Sequence, residues 1–565
     1  MTSFPNGFKG IVQGIGQSII EQSMRRSRRR FLKNLGLFSL CLSLTVSCGG
    51  GSTSNTTPAS PAANTGGRVT IGTTLEARTL DPADAYELFP GILLTNLGDR
   101  LYTYQPGSTE LVPQLATELP TISEDGLTYT IPLRQGVKFH DGEPFNAAAM
   151  AFSLQRFMEN DGRPAFLLSD RIDTVEATGD YELTIKLKEP FAAFPSLLAF
   201  SGATPVSPKA YEIGAGKFKP DTMIGTGPYK VASFAPDAIR LDPNPDYWGD
   251  KPANEGIDIQ IITSSANLYN TFRTGGLDIA YQTLDPDQIR SLEKEASQNN
   301  WQVVEAGTNV INYLVLNQKI KPLDDVKVRQ AIAALTDREL LNERVFQGQA
   351  EPLYSLLPTS SPDYQPVFKE AYGDGNVEKA KSLLQAAGIS EANPLTLEIW
   401  YSGSSAKRNL VATTMKAAVE RDLGGLVQIE PKTVEAATLF DNLDQGTYPS
   451  VLLDWYPDYY DPDTFIEPFM SCTKGSVTGG CEEGQSQTGG SFYYSEKANE
   501  LVKQQRAEQD PAARKQQFAE IQDLLAADVP YIPLWQDKDY VFAQNGIQGV
   551  EIQPSQQFLL WQIQK

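Results

Sequence analysis

Asp125-Gly126-Leu127-Thr128-Tyr129-Thr130-Ile131-Pro132-Leu133-Arg134-Gln135-Gly136-Val137-Lys138-Phe139-His140-Asp141-Gly142-Glu143-Pro144-Phe145 is the most ordered stretch of the chain. Leu127–Arg134 alternates apolar and polar residues, the period of a strand with one solvated face. Pro132 cannot donate to a ladder and restricts that strand to a sheet edge. Gly136, Gly142 and Pro144 serve turns, and Phe139 and Phe145 are expected in a core. His140 is the one histidine of the chain. A lone imidazole in a hairpin reads as a surface or satisfied residue before it reads as a catalytic one.

Working outward, Arg68–Thr73 opens the chain body as a β-branched strand, and Tyr181–Lys188 alternates with Tyr181, Leu183, Ile185 and Leu187 on one face. The middle of the chain is thus mixed α+β. Later, Asp325–Val345 sets Val328, Ile332, Leu335 and Leu341 near one helical face. Asn376 caps a helix over 377–387, Ala406–Leu423 stops at Gly424-Gly425, and Pro511 opens a helix to Ala527. Between them lie the strand-like runs Leu395–Tyr401, Val427–Pro431, Val451–Trp455 and Tyr531–Trp535. Strands alternating with helices predict an α/β lobe here.

Size and charge bound the rest. Gly49–Gly67 holds only small and polar residues plus proline and cannot bury a core, so it reads as a tether. The remaining chain of about 500 residues exceeds the roughly 250–300 at which single cores stop growing, so two or more lobes are expected. Net charge is −21, and residues 1–47 carry +6 of it, which leaves −27 for the rest. A body this acidic repels phosphate backbones and makes nucleic acid a poor partner.

The N-terminus reads as an address. Ser27-Arg28-Arg29-Arg30-Phe31-Leu32-Lys33 has the form of a twin-arginine export signal, followed by a short apolar run up to Ser47. That run falls short of the roughly 20 residues a bilayer span needs. Cys48-Gly49 resembles the acylation site of a bacterial lipoprotein, although Thr45 departs from the usual leucine; an uncleaved anchor and a plain export signal are the alternatives. Met24 is a second candidate start. Cys41 lies in the apolar run, which leaves Cys472 and Cys481 as an even pair in an exported chain, read as a disulfide rather than a zinc site.

The 125–145 block resembles the signature of the peptide/nickel solute-binding proteins of ABC importers, extracellular solute-binding protein family 5. Leu80-Asp81-Pro82, Gly225-Thr226-Gly227-Pro228-Tyr229, Asn244-Pro245-Asp246-Tyr247-Trp248-Gly249, Tyr313-Leu314-Val315-Leu316-Asn317 and Asp325–Ile332 match in the family's order over nearly all of 68–565. The resemblance implies an α/β, two-lobed periplasmic-binding-protein fold of type II, in the large cluster with an inserted extra domain, with mixed sheets flanked by helices. The implied partition is an export signal over 1–47, a tether over 48–67 and lobe I over 68–105 and 222–305. It puts the inserted domain at 106–221, lobe II at 306–534 and a C-terminal return to lobe I at 535–565.

Asp454-Trp455-Tyr456-Pro457-Asp458-Tyr459-Tyr460-Asp461-Pro462-Asp463 begins where the apolar strand Val451–Leu453 ends. Ligands of α/β sheets sit beyond strand carboxyl ends. Rigid rings at Trp455, Tyr456 and Tyr459 offer contact area, and a carboxylate among them can pair with an ammonium group. In peptide binders of the family the residue matching Asp458 holds the peptide's α-amino group, and the one matching Trp455 is a pocket aromatic. Asp84, Tyr86 and Glu87 follow Leu80-Asp81-Pro82, where relatives place ligand contacts. Two other readings stay open: Trp455 and Tyr459 as plain core, and Asp458, Asp461 and Asp463 as calcium ligands. Dipeptide-specific relatives carry an arginine after the strand matching Leu395–Tyr401, whereas Ser402-Gly403-Ser404-Ser405 stands here, with Lys407 and Arg408 beyond it. A longer peptide held through its backbone fits that departure.

The expected function is a monomeric extracytoplasmic receptor, in the periplasm or on the outer face of the cytoplasmic membrane, that delivers oligopeptides to an ABC permease and its ATPase. Its membrane contact would be a lipid on Cys48, with no cofactor, resident metal or nucleic acid. A nickel-chelate or small-solute receptor is the first alternative and a surface adhesin or co-receptor another; an exported carboxylate-based hydrolase is the enzymatic one, since no Gly-x-Ser-x-Gly or His-Glu-x-x-His motif occurs.

Overall fold

The computed structural model describes residues 67–565. Two long strands, Gln302–Leu316 and Tyr531–Ala543, form its spine. They pair antiparallel from Gln302↔Ala543 to Val315↔Tyr531, and the register slips between Gly307 and Ile311 and again between Asn312 and Tyr313. Both strands run through the middle of one 11-stranded sheet. On one side follow Ile279–Tyr281, Val69–Thr73, Ile257–Ile261, Ala238–Pro243 and Tyr229–Ala235; on the other follow Ser450–Trp455, Leu395–Ser402 and Val427–Val434. The shared strands join two separately packed bodies, which makes the molecule two-lobed, and the irregular register lies between the bodies.

Each body closes its own core. Ile311–Leu316, Leu395, Leu397, Ile399, Val451–Leu453 and Ile532 pack with the helices Val326–Leu335, Val377–Ala386, Ala406–Leu423 and Pro511–Asp528. Val69, Ile71, Leu93, Leu94, Ile257, Ile279 and Val541 form the core of the other lobe. A third core gathers Tyr129, Ile131, Phe139, Phe145, Leu183, Ile185 and Leu187 around the helix Ala147–Glu159 and a four-stranded sheet. Phe139 and Phe145 are buried in this third core as expected.

Three local readings change. Thr128–Pro132 is an inner strand between Thr121–Ile122 and Glu182–Leu187, because the outer neighbour pairs only at Tyr129 and Thr130 and never reaches Pro132. The helix expected over 325–345 ends at Leu335. Asp337 then caps a new turn by accepting from the Leu340 N–H, and Arg338 is drawn inward by the carbonyls of Leu353 and Pro533. The strand expected to stop at Trp535 continues to Ala543, since Gln536–Asp539 pair with the other spine strand although their side chains are polar.

Cys472 and Cys481 are joined, with Cα atoms 5.8 Å apart. No helix among the described residues is long and apolar enough to cross a membrane. The expectations for the export signal, the tether and Cys48 acylation lie outside the described residues.

Candidate functional site

Ser450–Trp455 pairs with the spine strand through Ile311↔Trp455 and then gives way to an irregular segment. Pro457 and Pro462 keep that segment from continuing the strand. It leaves the second lobe's core at Trp455 and reaches the third core at Tyr459 and Tyr460. Trp455 is 7% exposed and packs edge-on against Phe469 in the second lobe. Tyr459 is 8% exposed and turns into the third core, where it meets the Phe191 ring, and it donates to Asp463 Oδ2 at 2.8 Å. The plain-core reading therefore describes Tyr459 better than ligand contact does, because its face and its hydroxyl are both engaged. Tyr456 alone of the segment's rings stays open, at 42% exposed.

The carboxylates divide sharply. Arg514 grips Asp461 bidentately at 2.6 and 2.7 Å, and Arg506 grips Asp463 at 2.8 Å twice. These guanidiniums occupy the places a calcium ion would need, so the calcium reading loses two of its three ligands. Burial alone would raise Asp463, but Arg506 outweighs it and holds the carboxyl well below the usual range. Asp454 pairs with Arg408. Asp458 has no cationic partner among the described residues; Tyr86 Oη donates to its Oδ1 at 2.5 Å. Burial pushes Asp458 up to about 6, with the Tyr86 hydrogen bond opposing the shift. A carboxylate partly withdrawn from water without a counter-charge is disfavoured as an anion and takes a cation favourably.

Of the other expected contacts, Glu87 accepts from Arg78 at 2.9 Å and from Arg163 at 2.7 Å, and Asp84 from Arg78 at 2.5 Å. Both acids are committed to arginines, and only Tyr86 of that stretch reaches Asp458. His140 donates from Nε2 to the Gly227 carbonyl at 3.1 Å, and burial lowers it to about 4. It is a neutral histidine with Nε2 engaged and Nδ1 without a hydrogen-bond partner among the described residues.

Residues that pattern reading passed over complete the cleft. Tyr104 stacks edge-on with Tyr460 and accepts from its backbone N–H. From the spine, Asp537 pairs with Lys407 at 2.8 Å, and Asp539 accepts from Gln282 Nε2 at 2.7 Å. Burial, and then Asp537, push Asp539 up to about 7. The available signal was the polar break Gln536-Asp537-Lys538-Asp539 after an apolar strand. Among the described residues no three or more His, Cys, Asp or Glu are placed to hold a metal.

Two lobes on shared strands, with a carboxylate and open ring between them, define a solute-binding receptor. The chain belongs to the bacterial extracellular solute-binding proteins, family 5, whose middle-region model matches residues 110–477. It is 27% identical over 488 residues to di/tripeptide-binding protein 2 of Pseudomonas aeruginosa strain UCBPP-PA14, covering 81% of this chain and 87% of the relative. HbpA2 from Haemophilus parasuis superposes with a TM-score of 0.76 at 24% identity, covering 88% of this chain and all of that one. DppA from Helicobacter pylori, in complex with the peptide STSA, superposes at 0.68 with 23% identity, covering 89% and 98%.

Proposed function

We propose that the protein is the substrate-binding receptor of an ABC importer, capturing peptides between its lobes and presenting them to a membrane permease and its ATPase. The carrying observation is Asp458, a half-buried carboxylate with a phenol and no cation beside it. A peptide's terminal ammonium supplies the missing charge, and closure of the lobes removes the water that would weaken the pair. Family membership and a relative named for di- and tripeptide binding support the reading. Binding, not catalysis, is the task this geometry suits. Lys407 and Arg408 are already paired with Asp537 and Asp454, so neither is a free clamp for a ligand carboxylate. That favours oligopeptides, whose carboxyl end need not be fixed at one point. Acylation of Cys48 would tether the receptor, as a monomer, beside its permease.

The test is calorimetry of ligand-stripped protein with a tripeptide pool and with nickel chelates. Asp458→Ala should weaken peptide binding by about a hundredfold or more, the cost of leaving one charge of a buried pair alone. Unchanged peptide affinity would remove the assignment, and heat from nickel chelates alone would transfer the cleft to the small-solute alternative.

A further inference from the structure

Tyr86 does not meet Asp458 alone. Two phenylalanines lie edge-on to its ring, Phe166 with centroids 5.9 Å apart and planes at 86°, and Phe200 at 6.4 Å and 72°. They come from different elements, Phe166 from the short helix Phe166–Ser169 and Phe200 from the residue that precedes the turn Ser201–Ala203. Phe200 is also edge-on to the buried Phe157 at 6.2 Å. Arg163, three positions before Phe166, reaches Glu87 beside Tyr86 at 2.7 Å and ties the two segments together. The rings are thus fixed by the protein and need no ligand to order them.

Tyr86, Phe166 and Phe200 pack against the third core yet stay only half-buried. The two phenylalanine side chains hold no polar atom, so their open area favours being covered by apolar matter. The charges nearby are engaged: Asp84 and Glu87 pair with Arg78, and Glu87 with Arg163 as well. What borders Asp458 on this side is ring surface, and the Tyr86 hydroxyl, 2.5 Å from Asp458 Oδ1, joins the carboxylate to it. In a peptide the first side chain leaves the carbon next to the terminal nitrogen. An ammonium held at Asp458 therefore sets that side chain beside the Tyr86 group of rings, which accepts another ring edge-on or offset.

We infer that Phe166 and Phe200, with Tyr86, receive the side chain of the ligand's first residue, so that peptides beginning with a large apolar residue, above all an aromatic one, are preferred. This rests on Asp458 holding the ligand's ammonium, as proposed above.

The probes are Phe-Ala-Ala, Ala-Phe-Ala, Ala-Ala-Ala and phenethylamine, titrated into ligand-stripped protein at about pH 8, where Asp458 is ionised. Phe-Ala-Ala should bind roughly tenfold or more tighter than either other tripeptide, the equivalent of one covered aromatic side chain. Phe166→Ala and Phe200→Ala, shown to be folded by their melting curves, should each cut that difference to about threefold or less. Phe166→Leu, which keeps apolar volume, should retain most of it, and the wild-type comparison decides even where a variant fails to fold. Equal affinity for the three tripeptides, a preference for Ala-Phe-Ala, or a Phe-Ala-Ala preference that survives both alanine variants overturns the pocket and leaves the peptide receptor standing. Binding of phenethylamine but of no tripeptide, weakened in Phe166→Ala, keeps the pocket and removes the peptide reading. If neither the tripeptides nor the amine bind, both fall.

Discussion

Tyr86 Oη donates to Asp458 Oδ1 at 2.5 Å although 372 positions separate the two in the chain. The phenol stands where a ligand's ammonium would approach, and it is the one group that favours the ionised carboxylate. A neutral donor only partly offsets the burial of the charge. The empty site is therefore protonated only below about pH 6, well above the range of an ordinary carboxyl.

Ligand affinity should follow that titration. Below about pH 6 the empty site is protonated, and binding an ammonium must expel the proton, so affinity should fall by about tenfold per pH unit. Tyr86→Phe removes the interaction that lowers Asp458, so the midpoint should move to higher pH. Calorimetry across pH with a peptide lacking other titrating groups measures it, and a flat profile would separate Asp458 from the ammonium.

Stability of the empty protein should respond in the opposite sense to Asp458→Asn. The folded carboxyl titrates near 6, above its ordinary value of 3.8. The folded state therefore holds a proton that the unfolded chain releases, and the advantage is lost as pH rises through about 6. Asn keeps an acceptor for Tyr86 without the charge. The variant should be more stable by about 1–3 kcal/mol near pH 7.5, and no more stable near pH 3.5. Thermal unfolding at both pH values reads this directly.

Asp463 should behave as a structural acid. It is fully buried, gripped by Arg506 and bonded by Tyr459 and Gln505. Asp463→Ala leaves Arg506 only its longer pair with Glu467 at 3.4 Å, and should cost about 3 kcal/mol in urea denaturation.

The Cys472–Cys481 bridge closes a short loop, its ends nine positions apart. Replacing both with serine should lower stability by about 2–3 kcal/mol through the freed unfolded chain. Peptide affinity of the folded variant should be unchanged, since neither cysteine belongs to the cleft.

Local pattern made much of the fold legible. Leu183, Ile185 and Leu187 alternate with polar residues, and that period alone assigns their buried face. Asn376 accepts from the Lys379 N–H as its position ahead of a helical run implied. The break at Asp337 was hidden because the apolar spacing continues across it, while the pull on Arg338 comes from the Leu353 and Pro533 carbonyls, elsewhere in the fold.

The acid-and-ring segment after Val451–Leu453 was determined by sequence, because residue type and its place beyond a strand end are local facts. Which acid is free was decided only in three dimensions. Asp461 and Asp463 find Arg514 and Arg506, 53 and 43 positions away, while Asp458 meets a phenol from the other end of the chain. A charge's worth depends on what surrounds it after burial, and those surroundings are assembled from segments that are strangers in sequence.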